Sequence, residues 1–374
     1  MATYREGSRD LRLDFLRGLC LLKMVFSHGL PTALHQPLSR IGFVSAAEGF
    51  FFLSGTVLGL VYRKRLPQMG LAAASEKLLC RALFLWLANF ALVLLYSAWD
   101  YSGRRWDFFH LGYTYDWIFW NDWHWYSLFS SDQPYFLQIL PRYALFLALS
   151  PAALWLLARD RWRLLLAITW GIYLLEQVPD VELMIPFLEH GREVGFRHSA
   201  WQVLFFTGIV IGFERDRLAP LWHRLTRPWV LILLVAIAAS GVLYQYATAL
   251  GWIEVPPRLH AKLFARDVIG VARLPNLVAV FVVGFWLTTL LWRPLIATLG
   301  WLLKPLGQNA LLVFLLHIPL SHVALSLSKL GWLGDGGAGR WRHLLINGLM
   351  IALVWAVAVW QSIRHQRLRR WDRG

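Results

Sequence analysis

Asp14, Arg17, Lys23 and His28 stand in a stretch, LRLDFLRGLCLLKMVFSHGL over residues 11–30, that is otherwise apolar enough to cross a membrane. Ionisable groups at that depth are costly and are functional candidates by default. Arg17 and His28 are eleven residues apart, and eleven steps of about 100° return to within roughly 20° of the same helix face. Their side chains then lie on one line, about 16 Å apart along the axis. Asp14, three residues before Arg17, and Leu21, four after it, share that side. A guanidinium near one membrane surface can hold an anion, and an imidazole near the other can take and return a proton near neutral pH. The plainer reading is that Arg17 and Lys23 snorkel to cytoplasmic headgroups and His28 only ends the helix. For Lys23 the plainer reading is the better one.

Other polar groups fall inside apolar segments. The stretch GFVSAAEGFFFLSGTVLGLVY, residues 42–62, places Glu48 near the membrane side where His28 also sits. A carboxylate beside an imidazole fixes its tautomer and stabilises its protonated form, which is what a general base needs. Glu48 could equally meet a basic side chain or a substrate hydroxyl. The small residues Ser45, Ala46, Ala47, Gly49, Ser54, Gly55 and Gly59 are expected to serve close helix packing. Further along stand Gln138, Arg142 and Tyr143, then Trp201 and Gln202, then Asn309 and His317. Arg142 needs a partner or a polar cavity. Gln138, Gln202 and Asn309 suit hydrogen bonding between helices. His317 stands two residues before Pro319, where it could satisfy a carbonyl freed at a kink. Taken together, these groups indicate a polar interior.

Several chemistries are missing from the pattern. His110, His124 and the other outer histidines lack paired metal-ligand spacing. Phosphate-loop and dinucleotide fingerprints are absent, and no serine stands in a nucleophile elbow. The chemistry left is that of an acid/base histidine, fixed cations and a bound cosubstrate, with no tightly bound cofactor.

The elements that must position these residues are membrane helices. The 374-residue chain is 57% hydrophobic and only 16% charged, with a mean hydropathy of +0.48. Soluble domains carry about 25% charged residues, so the composition is that of an all-α polytopic integral membrane protein. Apolar windows of helical length lie near 14–30, 43–62, 82–98, 135–158, 164–178, 200–213, 229–250, 276–292, 308–328 and 343–363, about ten transmembrane helices in a single domain over 1–374. The first is a retained span, because Arg17 and Lys23 interrupt it and no small-residue cleavage site follows. With the N-terminus inside, the segments 1–13, 63–81, 159–163, 214–227, 293–304 and 364–374 carry 22 Lys and Arg, against 12 in the longer outer segments. The positive-inside rule therefore puts both termini in the cytoplasm. A net charge of +15 would suggest nucleic acid in a soluble chain; here its location explains it, and no nucleic-acid partner is expected. Cys20 and Cys80 imply no disulfide framework. The longest outer loop, Tyr101 to Pro134, is crowded with Trp, Tyr, Asp and His. Such a surface either stacks on and hydrogen-bonds sugars or simply lies at the membrane interface.

The start RDLRLDFLRGL with His28 following, and then GFVSAAEGFFFLSG, resembles the OpgC family of membrane proteins that succinylate osmoregulated periplasmic glucans. That family is similar to the broad acyltransferase-3 superfamily. The resemblance continues through YFLQILPRYALF at 135–146, WQVLFFTGIVIG at 201–212 and LGQNALLVFLLH at 306–317. The superfamily marks its first span with an arginine, ten intervening residues and a histidine, and Arg17 and His28 reproduce that spacing. What the resemblance implies is a multi-pass enzyme of the bacterial inner membrane. It would take an acyl group, succinyl by family expectation, from cytoplasmic acyl-CoA to a hydroxyl of a periplasmic glucan or surface polysaccharide. His28 would be the general base, with Glu48 orienting or charging it. Arg17, with Arg63, Lys64 and Arg65, would hold the CoA phosphates, and Asp14 would pair with Arg17. Gln138, Arg142, Tyr143, Trp201, Gln202 and His317 would line the path for substrate, and Arg192, Arg197, Arg258 or Arg266 would meet a succinyl carboxylate. Acyl-CoA, the glycan acceptor and membrane lipids are the expected partners.

Two other readings stand beside this one. A transporter or flippase for a polysaccharide or lipid-linked sugar would use Arg17, Glu48 and His28 as substrate or proton sites, although the chain shows no internal repeat. A scaffold for other envelope enzymes would need the spans but not the aligned charges of the first helix.

Overall fold

The computed structural model describes residues 4–6, 9–30, 32, 42–102, 137–178, 196–254, 256, 263–329 and 337–371. Most of the aromatic loop expected at 101–134 therefore lies outside the described residues, as do His110, His124, Arg192 and Arg258.

A small antiparallel hairpin, β1 (Arg5–Glu6) with β2 (Arg9–Asp10), leads into helices. These are α1 (Leu11–His28), α2 (Ala46–Ser102), α3 (Ile139–Ala158), α4 (Trp162–Glu176), α5 (His198–Phe213) and α6 (Ala219–Leu225). They continue as α7 (Pro228–Ala249), α8 (Arg273–Leu290), α9 (Trp292–Thr298), α10 (Gly300–Gln308), α11 (Ala310–Lys329) and α12 (Gly337–Trp371). Among the described residues six stretches are long and apolar enough to cross a membrane: Ala46–Leu95, Ile139–Ala158, Pro228–Ala249, Arg273–Leu290, Ala310–Ser328 and Trp341–His365. The protein is an all-α, multi-pass membrane protein. Helix α1 has the length of a span but carries Arg12, Asp14, Arg17 and Lys23, and α4 and α5 are shorter, at 15 and 16 residues.

Two expected loops are helical instead. Residues 63–81, read as an inner loop, continue α2, because Ala72, Ala73, Ala74, Glu76, Lys77 and Leu78 are strong helix formers. The run is broken only at Gly70, whose φ of 77° and ψ of 166° suit a residue without a Cβ. Residues 293–304 likewise form most of α9 and α10.

The chain forms two compact units. The first comprises 1–50, 228–246 and 277–374, and the second 51–227 and 247–276. In the first, Asp10 caps α1 by accepting the Arg12 backbone N–H at 3.2 Å. The Arg12 guanidinium grips the same carboxylate at 2.7 and 2.9 Å, donates to Thr289 and lies over the rings of Tyr4 and Phe285. Arg12 thus locks the hairpin and α8 to the first turn of α1. Helices α1 and α10 then press backbone to backbone. A Cβ on Gly18 would sit 2.0 Å from the Leu303 carbonyl oxygen, and one on Gly307 1.7 Å from that of Asp14. Phe15 meets Trp292 edge to face beside them, while Val25 and Leu30 pack with Ala324 and Met350.

The second unit is organised by a matched pair of GxxxG faces. Gly55 and Gly59 of α2 lie against the carbonyls of Phe205 and Ile209, and Gly208 and Gly212 of α5 against those of Phe52 and Thr56. Small residues four apart let two backbones approach this closely, and dispersion then holds them where lipid supplies no hydrophobic drive. Phe51 fills the adjoining space and contacts Tyr143, Phe146 and Trp201.

Candidate active site

Helix α1 ends on His28 because Gly29 turns extended, with φ −78° and ψ −168°. The exit is clamped from α12. The Asn347 carboxamide accepts the Leu30 N–H and donates to the Leu30 carbonyl, both at 2.8 Å, as a neighbouring strand would. A Cβ at residue 29 would lie 2.4 Å from Asn347 Oδ1, so the clamp also requires glycine there. The backbone on the C-terminal side of His28 is therefore set by a buried amide.

The ring of His28 meets that of His317, from α11, at 3.0 Å between Nδ1 and Nε2. The ring centres are 5.1 Å apart and the planes inclined by 22°. That separation is close to what an in-plane N–H···N bond requires, so the rings meet edge to edge rather than face to face. His317 is fully buried, and its Nδ1 lies 2.7 Å from the Phe314 carbonyl oxygen. This is not the carbonyl that Pro319 frees, which belongs to Leu315, four residues before the proline. Hence the kink role expected of His317 is replaced by one toward His28. Phe314 supports the ring from the side and stacks in turn on Phe50. One turn on, His322 is also buried, with Nδ1 2.9 Å from the Ile318 carbonyl oxygen.

The other charges of α1 have specific surroundings. Asp14 forms an ion pair with Arg9, at 2.6 Å, and Arg17 adds a favourable charge interaction from the same helix. A residue five positions away on the hairpin reaches the carboxylate from outside the helix. Arg17 is buried on the same helix. Lys23 donates to the Val44 carbonyl at 3.3 Å, a tie to the segment before α2. Glu48 is fully buried and accepts the Ser45 N–H, while Ser45 Oγ accepts the Glu48 N–H. Ser45-Ala46-Ala47-Glu48 is thus a capping box, which supplies partners for two N–H groups at the start of α2.

The remaining expected site residues lie in the second unit. Arg63 donates to the Phe213 carbonyl and pairs with Asp216 at 3.2 Å and Glu214 at 3.9 Å; Lys64 and Arg65 are exposed. Arg217 bridges Asp160 and Glu214, and the hydrogen bond to Asp160, with Glu214 adding to it, raises its pKa above the ordinary arginine value. Arg142 is fully buried, donates to the Phe196 and Gln138 carbonyls and lies 5.5 Å from the Phe196 ring centre. Tyr143 packs edge-on against Phe51 and Phe205. Trp201 Nε1 donates to Asp267 and Gln202 Nε2 to Thr169 and Ser199, in each case to the backbone carbonyl. Arg197 pairs with Glu176 at 2.7 Å, and Ser199 donates to the second Glu176 oxygen at 2.8 Å. Arg266 is exposed and lies over Phe196. Asn309 behaves as expected of a helix-bridging amide, donating to the Pro305 and Ala358 carbonyls and to Ser362 Oγ. Among the described residues no group of three His, Cys, Asp or Glu is placed to hold a metal ion.

Sequence reasoning missed Asn347 and the pairing of His28 with His317. A lone amide in the apolar run LLINGLMIAL was the available signal for the first; for the second, partners 289 positions apart leave none. The capping box was legible in the motif itself.

The fold and site are those of a multi-pass helical membrane protein with an imidazole held at the end of a charged first helix. The chain belongs to the OpgC family: the model of the OpgC protein family matches residues 9–366. Membership implies an acyltransferase-type enzyme acting in glucan modification. No curated protein and no solved structure is detectably similar to the chain.

Proposed function

We propose that the protein is an O-acyltransferase that moves an acyl group, succinyl in the first instance, from cytoplasmic acyl-CoA to a hydroxyl of a periplasmic glucan. The carrying observation is His28, clamped by Asn347 and paired with His317 at the end of α1. His28 removes the proton of the acceptor hydroxyl as its oxygen attacks the thioester carbonyl. The tetrahedral intermediate collapses by breaking the C–S bond, and the imidazolium returns its proton to the thiolate. The products are a glycan ester and free CoA.

Arg17 is the first unit's candidate to hold CoA phosphates and Lys64 and Arg65 are the second unit's, while Arg63 anchors the inner end of α2 through its carboxylate partners. Glu48, within its capping box, holds the α2 start in the register that the site needs. Arg266 is the described arginine best suited to a succinyl carboxylate. In this reading the ten apolar segments all span the inner membrane, with both termini cytoplasmic, as the excess of inner Lys and Arg supports.

The test incubates the purified chain in proteoliposomes with labelled succinyl-CoA or acetyl-CoA and a periplasmic glucan. Free CoA thiol and label on the glycan are followed together. Ester formation with succinyl-CoA, lost in His28→Ala, is expected. Movement of unmodified glucan across the vesicle without CoA release would make the protein a transporter instead.

A further inference from the structure

The hydrogen bonds around His317 constrain where the protons sit on both imidazoles. A carbonyl oxygen can only accept, so the 2.7 Å contact from His317 Nδ1 to the Phe314 oxygen requires a proton on that nitrogen. In a neutral ring the other nitrogen, Nε2, then carries the lone pair. His28 Nδ1 is 3.0 Å from that Nε2 and must be its donor. For a neutral His28, this leaves the lone pair on Nε2.

We propose that His317 is the positioning residue that sets the tautomer and ring plane of His28, making His28 Nε2 the basic nitrogen. This deepens the acyltransferase reading and rests on it, because it assigns which atom of the base takes the hydroxyl proton. Three features converge. The near-coplanar rings align the donor with the acceptor lone pair. Complete burial of His317 removes water as a competing partner for its Nε2. The Phe314 contact holds the ring of His317 against rotation, as a second hydrogen bond does for a histidine in a metal site or a catalytic triad. Asn347 adds the backbone constraint. His317 is thereby moved from the substrate path to a place behind the base.

The test compares His317→Leu, His317→Gln and His28→Ala in the full chain, with labelled succinyl-CoA and glucan as probes. Leucine removes the acceptor, whereas the glutamine carbonyl can still take the His28 Nδ1 proton. His317→Leu is expected to lower kcat by about 10²-fold, at the lower end of what a correctly poised base contributes, with KM for the donor unchanged. His317→Gln should recover most of that loss. A second measurement does not depend on turnover: ring-nitrogen NMR of histidine-labelled protein, with His28 assigned by its disappearance in His28→Ala. The wild-type His28 signal should have the Nδ1–H pattern, and in His317→Leu it should shift to Nε2–H. A wild-type Nε2–H pattern, or the same His28 tautomer in His317→Leu, overturns the proposal, as does a glutamine variant no better than leucine. If His28→Ala keeps full activity, the acyltransferase role of His28 fails by itself, and the NMR result still decides the tautomer.

Discussion

Two buried polar clusters, one in each compact unit, use similar residue types for different ends. Around Glu176, Arg197 and Ser199, a carboxylate fully enclosed by protein receives a guanidinium on one oxygen and a hydroxyl on the other. Nearby, Arg142 donates to two main-chain carbonyls. These groups carry permanent charge and are held by fixed partners that tie segments of the unit together. Around His28 the partner is a second imidazole, itself tied to a carbonyl. An imidazole, unlike a guanidinium, can gain or lose a proton near neutral pH. Burial of a polar side chain therefore does not by itself mark catalysis; in the proposed function it is the imidazole pair, able to take up a proton, that serves the reaction.

The sharpest break of this contrast is His28→Ala. It is expected to cut ester formation by about 10²–10⁴-fold, the range for a general base, while thermal stability in detergent stays at the wild-type value. Arg197→Met should do the reverse. Leaving Glu176 buried without its guanidinium costs about 3–5 kcal/mol, seen as a lowered Tm, while the turnover of the molecules that remain folded is preserved. Asn347→Ala tests the boundary between the two behaviours. Loss of a paired buried amide costs about 1–3 kcal/mol, and because it frees Leu30 next to His28, kcat should fall with it. If kcat holds while Tm drops, Asn347 belongs with the structural cluster. The smallest effect is expected for Arg217→Ala, whose ion pair with Asp160 is solvent-exposed. Exposed pairs contribute about 0–1 kcal/mol, screened by salt, so both activity and Tm should stay near wild type.

Much of the architecture was legible because the membrane imposes a simple code. Apolar length announces a helix, and in the structure all ten apolar windows contain helix. Arg17 and His28 stand on one uninterrupted α1, as their spacing required. The code failed where helical propensity outlasted apolarity, as in residues 63–81 and 293–304, since polar and alanine-rich segments also stay helical when flanked by helices. For Lys23 and Asp14 local spacing was incomplete: the folded chain adds the Val44 carbonyl beside Lys23 and Arg9 beside Asp14.

By itself, then, the sequence determined the class of protein, the family motif and the candidate base, because each depends on composition or on spacing within one helix. Only the tertiary structure decided what surrounds that base. His317 and Asn347 reach His28 and Leu30 from helices hundreds of residues away. Hydrogen bonds act over about 3 Å, and no periodicity along a chain encodes which distant groups folding will bring within that range.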